Sequence, residues 1–331
     1  MIRKSIRTVF ILATVILLAA CSKERSIYEG LGPEEDGVID VTIPDDGEGA
    51  PLESIRHNVD ELSSEEKKFV DDLHESEYDK LSFVVIDVEN MKIKRSYLGE
   101  TPRRLASISK LSTALGALER VNNVSVSKVR QMLKNSNNGE ASRYVRLAAK
   151  AIAGIVSPPA YTDAHSCPNG FLEEEDQAHA VLNWLTSQIP EADWTDASIN
   201  DGAGCHYDNF MDGFQIAEIL HFADSRGKAY AGLNFEQLLS INGTDGTWKN
   251  KNTDHKGRIF AKTGTLNPNS NLAGYFYAKR QGVMKKYYFA VFIEKKGGGS
   301  YTTKARKLIE SLMRYWINFY SAQEGDSLGD F

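Results

Sequence analysis

Residues 103–119 read RRLASISKLSTALGALE and place Ser107 three positions before Lys110. The leucines that follow recur at helical spacing, which predicts a helix that carries both residues on one face. The same Ser-x-x-Lys pattern occurs at three other places, Ser64–Lys67, Ser125–Lys128 and Ser225–Lys228. The tetrapeptide is therefore evidence for a nucleophile and its base only in combination with other motifs.

Two further short motifs follow in the chain. Ser136 and Asn138 form a Ser-x-Asn motif 26 positions after Lys110, and Lys262 opens a Lys-Thr-Gly motif on a predicted strand. Each is weak alone, because Ser-x-Asn also occurs at 198–200 and 240–242. In this order, the three motifs resemble the signature of the penicillin-recognising serine enzymes.

The resemblance covers most of residues 80–320. Residues 243–277 are similar to the stretch around the Lys-Thr-Gly strand of type-4, low-molecular-mass (class C) penicillin-binding proteins, and 200–209 to their Asp-Gly-Ser-Gly block. Cys205 and His206 replace the family's Leu-Ser. The family's long insertion between the first two motifs has no room here, so the chain resembles a minimal member that holds only the transpeptidase-like core.

The resemblance and the chemistry of the side chains together assign roles. Ser107 is the expected nucleophile, Lys110 its base, and Ser136 the relay that protonates the leaving amine. Asn138 is expected to hold the substrate amide, and Lys262 to attract a terminal carboxylate. The other predicted substrate-binding residues are Thr263, Gly264 and Thr265. The backbone N–H groups of Ser107 and Thr265 form the predicted oxyanion hole, and no metal or cofactor is implied.

The N-terminus predicts export. Three positive residues precede a short apolar segment, Val9 to Leu18: Arg3, Lys4 and Arg7. The segment is too short to span a bilayer and ends in Leu-Ala-Ala-Cys, which resembles a lipobox. We therefore expect a signal peptide over 1–20 and a lipid on Cys21 that tethers the protein in the periplasm. In such lipoproteins a serine next to the lipid-bearing cysteine, here Ser22, favours the outer membrane over the inner one. The alternative is a plain signal peptide with a different cleavage site. Acidic, glycine-containing residues 21–53 predict a flexible linker.

Cys167 and Cys205 remain after Cys21 is set aside. An oxidising compartment favours a disulfide between them, whereas the nearby His165 and His206 leave a zinc site as the alternative. The formal net charge is −6 and no basic run interleaves with aromatic residues, which argues against nucleic acid as a partner.

The pattern of elements predicts an α+β fold of the serine β-lactamase/DD-peptidase, transpeptidase-like class. An antiparallel sheet is flanked by terminal helices and accompanied by a helical block. The predicted catalytic domain is 54–325, with a sheet subdomain of about 54–106 and 245–325 and a helical one of about 107–244. Predicted helical segments are 53–79, the Ser107 segment, one or two helices in 125–155, 173–189, 212–224 and 302–322. Within 53–79 a break is expected near Ser63 and Ser64, where Glu66 caps a second start. Predicted strands are 81–90, 92–100, 257–265, 272–279 and 285–294.

The expected activity is hydrolysis of D-Ala-type peptide bonds in peptidoglycan through an acyl-enzyme, with β-lactams as covalent inhibitors. Absence of covering domains should open the cleft to cross-linked peptides, which favours endopeptidase over carboxypeptidase action. Two alternatives stay open. A serine β-lactamase needs a deacylating base, for which Glu173 to Glu175 form the one acidic cluster in a suitable interval. A non-catalytic wall-binding or sensor domain would keep the pocket without turnover.

Overall fold

β-Branched and aromatic residues fill the long strands of an antiparallel sheet. The structure is a computed structural model that describes residues 62–75, 80–156, 159–168, 173–295 and 302–322. All of these residues lie in one compact unit, 46–331. The strands are β1 Lys80–Asp87, β2 Lys92–Tyr97, β3 Arg103–Arg104, β4 Phe210–Met211, β5 Ser240–Ile241, β6 Ile259–Leu266, β7 Asn269–Arg280 and β8 Val283–Glu294. Six of them form a sheet in the order β2-β1-β8-β7-β6-β5.

The predicted hairpin and the three predicted C-terminal strands are confirmed by the antiparallel pairing. The two-residue strand β5 extends the sheet beyond the prediction, since Ser240 lies inside the predicted helical block. A separate two-stranded ladder joins β3 to β4. These short strands carry too few residues to show an alternating pattern.

The described helices supply both outer layers. They are α1 Ser64–Glu75, α2 Lys110–Arg120, α3 Val126–Asn135, α4 Asn138–Ala153, α5 Glu175–Gln188, α6 Gly213–Ser225 and α7 Thr302–Ser321. A 3₁₀ turn, Ala106–Ser109, leads into α2. At the start of α1 the Ser63 hydroxyl accepts the Glu66 N–H, and the Glu66 carboxylate accepts the Ser63 N–H, as the predicted cap requires.

Alternation along the strands assigns each face of the sheet to one layer. In β1, Phe83 and Val85 pack in the cluster that contains α1 and α7. Val84 and Ile86 point the other way, into the cluster that contains the helical block. Because the sheet is buried on both faces, the helical block packs against one of them, and a cleft can form where the block meets β6.

None of the helices in the described ranges is both long and apolar enough to cross a membrane. The predicted signal peptide 1–20, Cys21 and the linker 21–53 lie outside the described residues.

Candidate active site

The Ser107 turn is the point at which three segments meet. Its preceding residue, Ala106, has a positive φ of 47°. A Cβ added to Gly204 would lie 2.0 Å from the Ala106 carbonyl oxygen, and one added to Gly264 would lie 2.6 Å from that of Leu105. Both positions require glycine, because any side chain would push the 201–205 loop or β6 away from the nucleophile.

Lys110 is completely buried and reaches Ser107 directly. Its Nζ lies 2.7 Å from Ser107 Oγ and 2.8 Å from Asn138 Oδ1, and it also donates to the Ala203 carbonyl. Burial lowers the pKa of Lys110 to about 7, although the nearby Asp201 and Glu174 carboxylates act to raise it. A large share of Lys110 is therefore neutral at neutral pH and able to accept the Ser107 proton.

A second lysine–serine pair faces the first. Ser136 sits between α3 and α4 in the left-handed conformation, with φ 57° and ψ 40°. Lys262 Nζ donates to Ser136 Oγ at 2.9 Å and to the Thr263 carbonyl at 2.8 Å. Burial lowers the pKa of Lys262 well below its usual value, and the charge of Lys110 lowers it further. The structure thus brings the first, second and third motifs together.

Asn138 begins α4 and is fixed from two sides. Its Oδ1 accepts from Lys110, while its Nδ2 donates to the Ser166 carbonyl at 2.9 Å and its N–H to the Ala164 carbonyl at 2.8 Å. The side-chain amide therefore connects the base to the 159–168 segment.

A disulfide joins Cys167 to Cys205, with their Cα atoms 5.6 Å apart. It ties the segment that holds Asn138 to the loop whose Ala203 carbonyl accepts from Lys110. Since both sulfurs are bonded to each other, neither thiol is free for the alternative zinc site. Among the described residues, no three His, Cys, Asp or Glu side chains are grouped to hold a metal ion.

Asp201 organises the 201–205 loop. Its buried carboxylate accepts four backbone N–H groups, those of Ala203 at 2.8 Å, Gly204, Cys205 at 3.1 Å and His206. These bonds orient the Ala203 carbonyl toward Lys110. The Asp-Gly-x-Gly sequence of residues 201–204 predicts a turn that supports the site rather than a catalytic group, and these hydrogen bonds form that turn.

Glu174, directly before α5, connects the same loop to two side chains of α4. Its buried carboxylate accepts the Gly202 N–H at 3.3 Å, Arg146 Nε at 3.2 Å and the Ser142 hydroxyl. Burial raises the pKa of Glu174. All three bonds are structural, so the carboxylate considered as a β-lactamase base is held by α4 and the loop.

The Lys-Thr-Gly strand leaves one edge open. β5 pairs with β6 through Phe260 and Ala261 only, so in the described chain no strand covers the outer edge of residues 262–266. Thr263 Oγ1 lies 2.8 Å from Thr247 Oγ1. Thr265 is exposed and its Oγ1 accepts from Arg306 at 3.0 Å, a contact that the sequence did not suggest. An extended peptide can add to this edge beside Ser107.

Comparison with known sequences decides the family. The sequence profile of the D-Ala-D-Ala carboxypeptidase 3 (S13) family matches residues 126–315, more than half of the chain. The chain belongs to the D-Ala-D-Ala carboxypeptidase 3 (S13) family. The matched part of this S13 chain contains Ser136, Asn138 and the Lys-Thr-Gly strand, whereas Ser107 and Lys110 precede it and join it through the contacts above. No curated protein sequence matches the chain.

The chain is similar to several solved structures, and the first of those described next, with a TM-score above 0.5, shows its fold class. A class A β-lactamase from Bacteroides cellulosilyticus is 14% identical, with a TM-score of 0.53 over 77% of this chain and 96% of that one. Penicillin binding protein 4 from Haemophilus influenzae is 21% identical, with a TM-score of 0.46 over 59% of this chain. The S13 chain covers 41% of that protein's length. A predatory peptidoglycan endopeptidase from Bdellovibrio bacteriovorus is 14% identical, with a TM-score of 0.49 over 76% and 96% of the two chains. The predicted serine β-lactamase-like fold class is confirmed.

Proposed function

We propose that this protein is a penicillin-binding serine peptidase that cleaves D-Ala-type peptide bonds of peptidoglycan. The observation that carries the proposal is the completely buried Lys110 amine, with a pKa of about 7, lying 2.7 Å from Ser107 Oγ. Membership of the S13 family supports the substrate class. A lysine on a solvated helix face would stay protonated and could not serve as a base.

In the acylation step Ser107 loses its hydroxyl proton to the neutral Lys110 amine. The Ser107 oxygen forms a bond to the carbonyl carbon of the peptide, and the N–H groups of Ser107 and Thr265 stabilise the resulting oxyanion. The carbon–nitrogen bond then breaks, and Ser136 gives its proton to the leaving amine. Ser136, whose Oγ is held by Lys262 at 2.9 Å, regains a proton from the protonated Lys110 amine, so both lysines end the step in the protonation states in which they began it. Water later hydrolyses the ester, which releases a carboxylate and restores Ser107.

Cross-linked peptides are the substrate that we favour, with trimming of terminal D-Ala as the second activity. Residues 111–135 comprise the rest of α2, a short loop and α3, so no further domain lies between Lys110 and Ser136 to cover the cleft. We infer that the chain is a minimal S13 member whose open cleft admits a bulky donor on the leaving side.

The test combines a fluorescent penicillin with purified peptidoglycan and the full chain kept in detergent. We expect stable labelling and loss of cross-linked dimers, both absent in Ser107→Ala. Ser64→Ala is the matched control, since the exposed Ser64 heads another Ser-x-x-Lys pattern and should keep both activities. Trimmed stem peptides with intact dimers would overturn the endopeptidase preference. Rapid penicillin turnover with untouched peptidoglycan would indicate a β-lactamase. Penicillin labelling without hydrolysis of peptidoglycan or penicillin would indicate a wall-binding or sensor domain.

We further propose that the protein is exported and anchored in the outer membrane by a lipid on Cys21. The Leu-Ala-Ala-Cys sequence supports this, as does a disulfide, which persists in an oxidising compartment. Labelled fatty acid should be incorporated by the natural chain and not by Cys21→Ser. Equal incorporation by both would contradict the anchor.

A further inference from the structure

Asn271 on β7 holds the turn that precedes the nucleophile. Its Nδ2 donates to the Arg104 carbonyl at 2.7 Å and to the Leu105 carbonyl at 3.0 Å. These two residues come directly before Ala106, whose positive φ of 47° is unfavourable for an L-amino acid. One buried side chain therefore gives both hydrogens of its amide to a strained stretch of backbone next to Ser107.

Asn271 also connects this turn to the Lys-Thr-Gly strand. Its backbone is directly opposite Gly264 in the antiparallel ladder of β6 and β7. At this position β7 thus holds β6 through the backbone ladder and the turn through a side chain. The two expected oxyanion donors are the N–H groups of Ser107 and Thr265, and Thr265 directly follows Gly264. Both donors therefore lie on segments that Asn271 joins.

The two donated hydrogen bonds are what an asparagine supplies at position 271. A flipped amide would place Oδ1 against two carbonyl oxygens, which would repel it. Asn271 is only 2% exposed, and within the described ranges no group bonds to its Oδ1. Burying an amide oxygen without a partner is unfavourable, so packing alone would favour an aliphatic side chain of similar size.

Asn269 offers an internal comparison on the same strand. It lies two positions earlier, on the same face of β7, and is also 2% exposed. Its Oδ1 likewise has no partner in the part of the chain that the structure describes. Its Nδ2, however, donates to the Glu294 carboxylate at 3.1 Å. The two asparagines are thus alike in burial and differ in the segment that each one holds.

We propose that Asn271 is a positioning residue that sets the distance between the two halves of the oxyanion hole. This inference rests on the proposed peptidase function. The negative charge that develops on the scissile carbonyl oxygen is stabilised most when both N–H donors are already in place before the reaction begins. Because Asn271 acts through the backbone of residues 104–107 and not on the substrate, it should affect the transition state more than substrate binding.

The test separates acylation from binding, with the full chain kept in detergent. The noncovalent Kd and the acylation rate constant are measured for a penicillin, and the inhibition constant for a peptide boronic acid. The tetrahedral adduct of the boronic acid with Ser107 places an oxygen in the oxyanion hole. We expect Asn271→Leu to lower the acylation rate constant about 10- to 100-fold, as a misplacement of about 1 Å would. The inhibition constant should rise by the same factor, while Kd stays within about twofold.

Asn269→Leu is the matched control, because it removes the same group from the same face of the same strand. It should change none of the three constants. Asn271→Ser keeps one donor on a shorter side chain and should lower the acylation rate constant about three- to tenfold. This second variant decides the question if Asn271→Leu does not fold, which circular dichroism and thermal unfolding will show.

A loss of acylation in the Asn271 variants alone, matched by weaker binding of the boronic acid, supports the inference. Folded Asn271 variants that keep the natural rate constant, an equal loss in Asn269→Leu, or a raised Kd with unchanged acylation would overturn the role of Asn271 and leave the peptidase intact. If the natural protein neither reacts with penicillin nor cleaves peptide, the proposed function fails and the inference fails with it.

Discussion

The rate at which β-lactams acylate Ser107 should rise steeply between pH 5 and pH 7 and then level off. Acylation requires neutral Lys110, whose pKa of about 7 follows from its complete burial. The neutral fraction is then about 1% at pH 5, about 50% at pH 7 and about 90% at pH 8. The second-order rate constant should accordingly increase about 50-fold from pH 5 to pH 7, and only about twofold above pH 7.

The sign and shape of this profile separate a buried base from a solvated lysine. Burial disfavours the charged amine, so the pKa falls and the neutral form is reached at lower pH. An ordinary lysine would give a rate that rises about tenfold per pH unit without a plateau up to pH 9.

The assay is labelling by a fluorescent penicillin under second-order conditions, with circular dichroism at each pH to verify that the chain remains folded. Lys110→Arg is the matched variant, because its permanently protonated side chain should lower the rate about 100- to 10,000-fold at every pH. A natural-protein profile that keeps rising to pH 9, or a Lys110→Arg variant with an unchanged rate, would refute the assignment of Lys110 as the base.

Two further predictions concern the contacts around the nucleophile. Gly264→Ala places a Cβ 2.6 Å from the Leu105 oxygen, so it should lower the free energy of unfolding by about 1–3 kcal/mol and abolish penicillin labelling. Gly282→Ala is the control, because its φ of +84° strains an alanine by about 1–2 kcal/mol but no other atom lies within 4 Å of the added Cβ. Labelling should persist in Gly282→Ala, and its loss there would point to an effect of stability instead. Replacing Cys167 and Cys205 together by serine removes a link between residues 38 positions apart. The free energy of unfolding in denaturant should fall by about 4 kcal/mol, and acylation should slow. An unchanged denaturation midpoint would contradict the role of the disulfide.

Much of the sheet was predictable from the sequence because its long strands carry unbroken β-branched and aromatic runs. Strands β6, β7 and β8 lie close to the predicted segments for this reason. The three motifs could also be recognised in the sequence, since each consists of fixed residue types at short spacing. The strand β5 was missed because two residues cannot show an alternation.

The partners of Lys110 were not predictable in the same way. The Ala203 carbonyl comes from 93 positions away, and a backbone oxygen leaves no mark on residue type. Glu174 looked like part of an acidic helix start, and only the folded chain shows that it accepts from Gly202. The contact between Arg306 and Thr265 depends on how α7 packs against the sheet, which the amphipathic pattern of the helix does not specify.

The short length of β5 also determines how much of the edge of β6 is left without a neighbouring strand. An uncovered strand edge ordinarily invites pairing with the edge of another molecule, which leads to aggregation. Here β5 leaves residues 262–266 of β6 without a neighbouring strand, and the Leu105 carbonyl lies so close to one face of this stretch that Gly264 has no room for a side chain. So short an edge offers a second folded sheet few hydrogen bonds, whereas a single flexible chain can adapt to it. We therefore expect this stretch of β6 to pair with one extended peptide more readily than with β6 of a second copy.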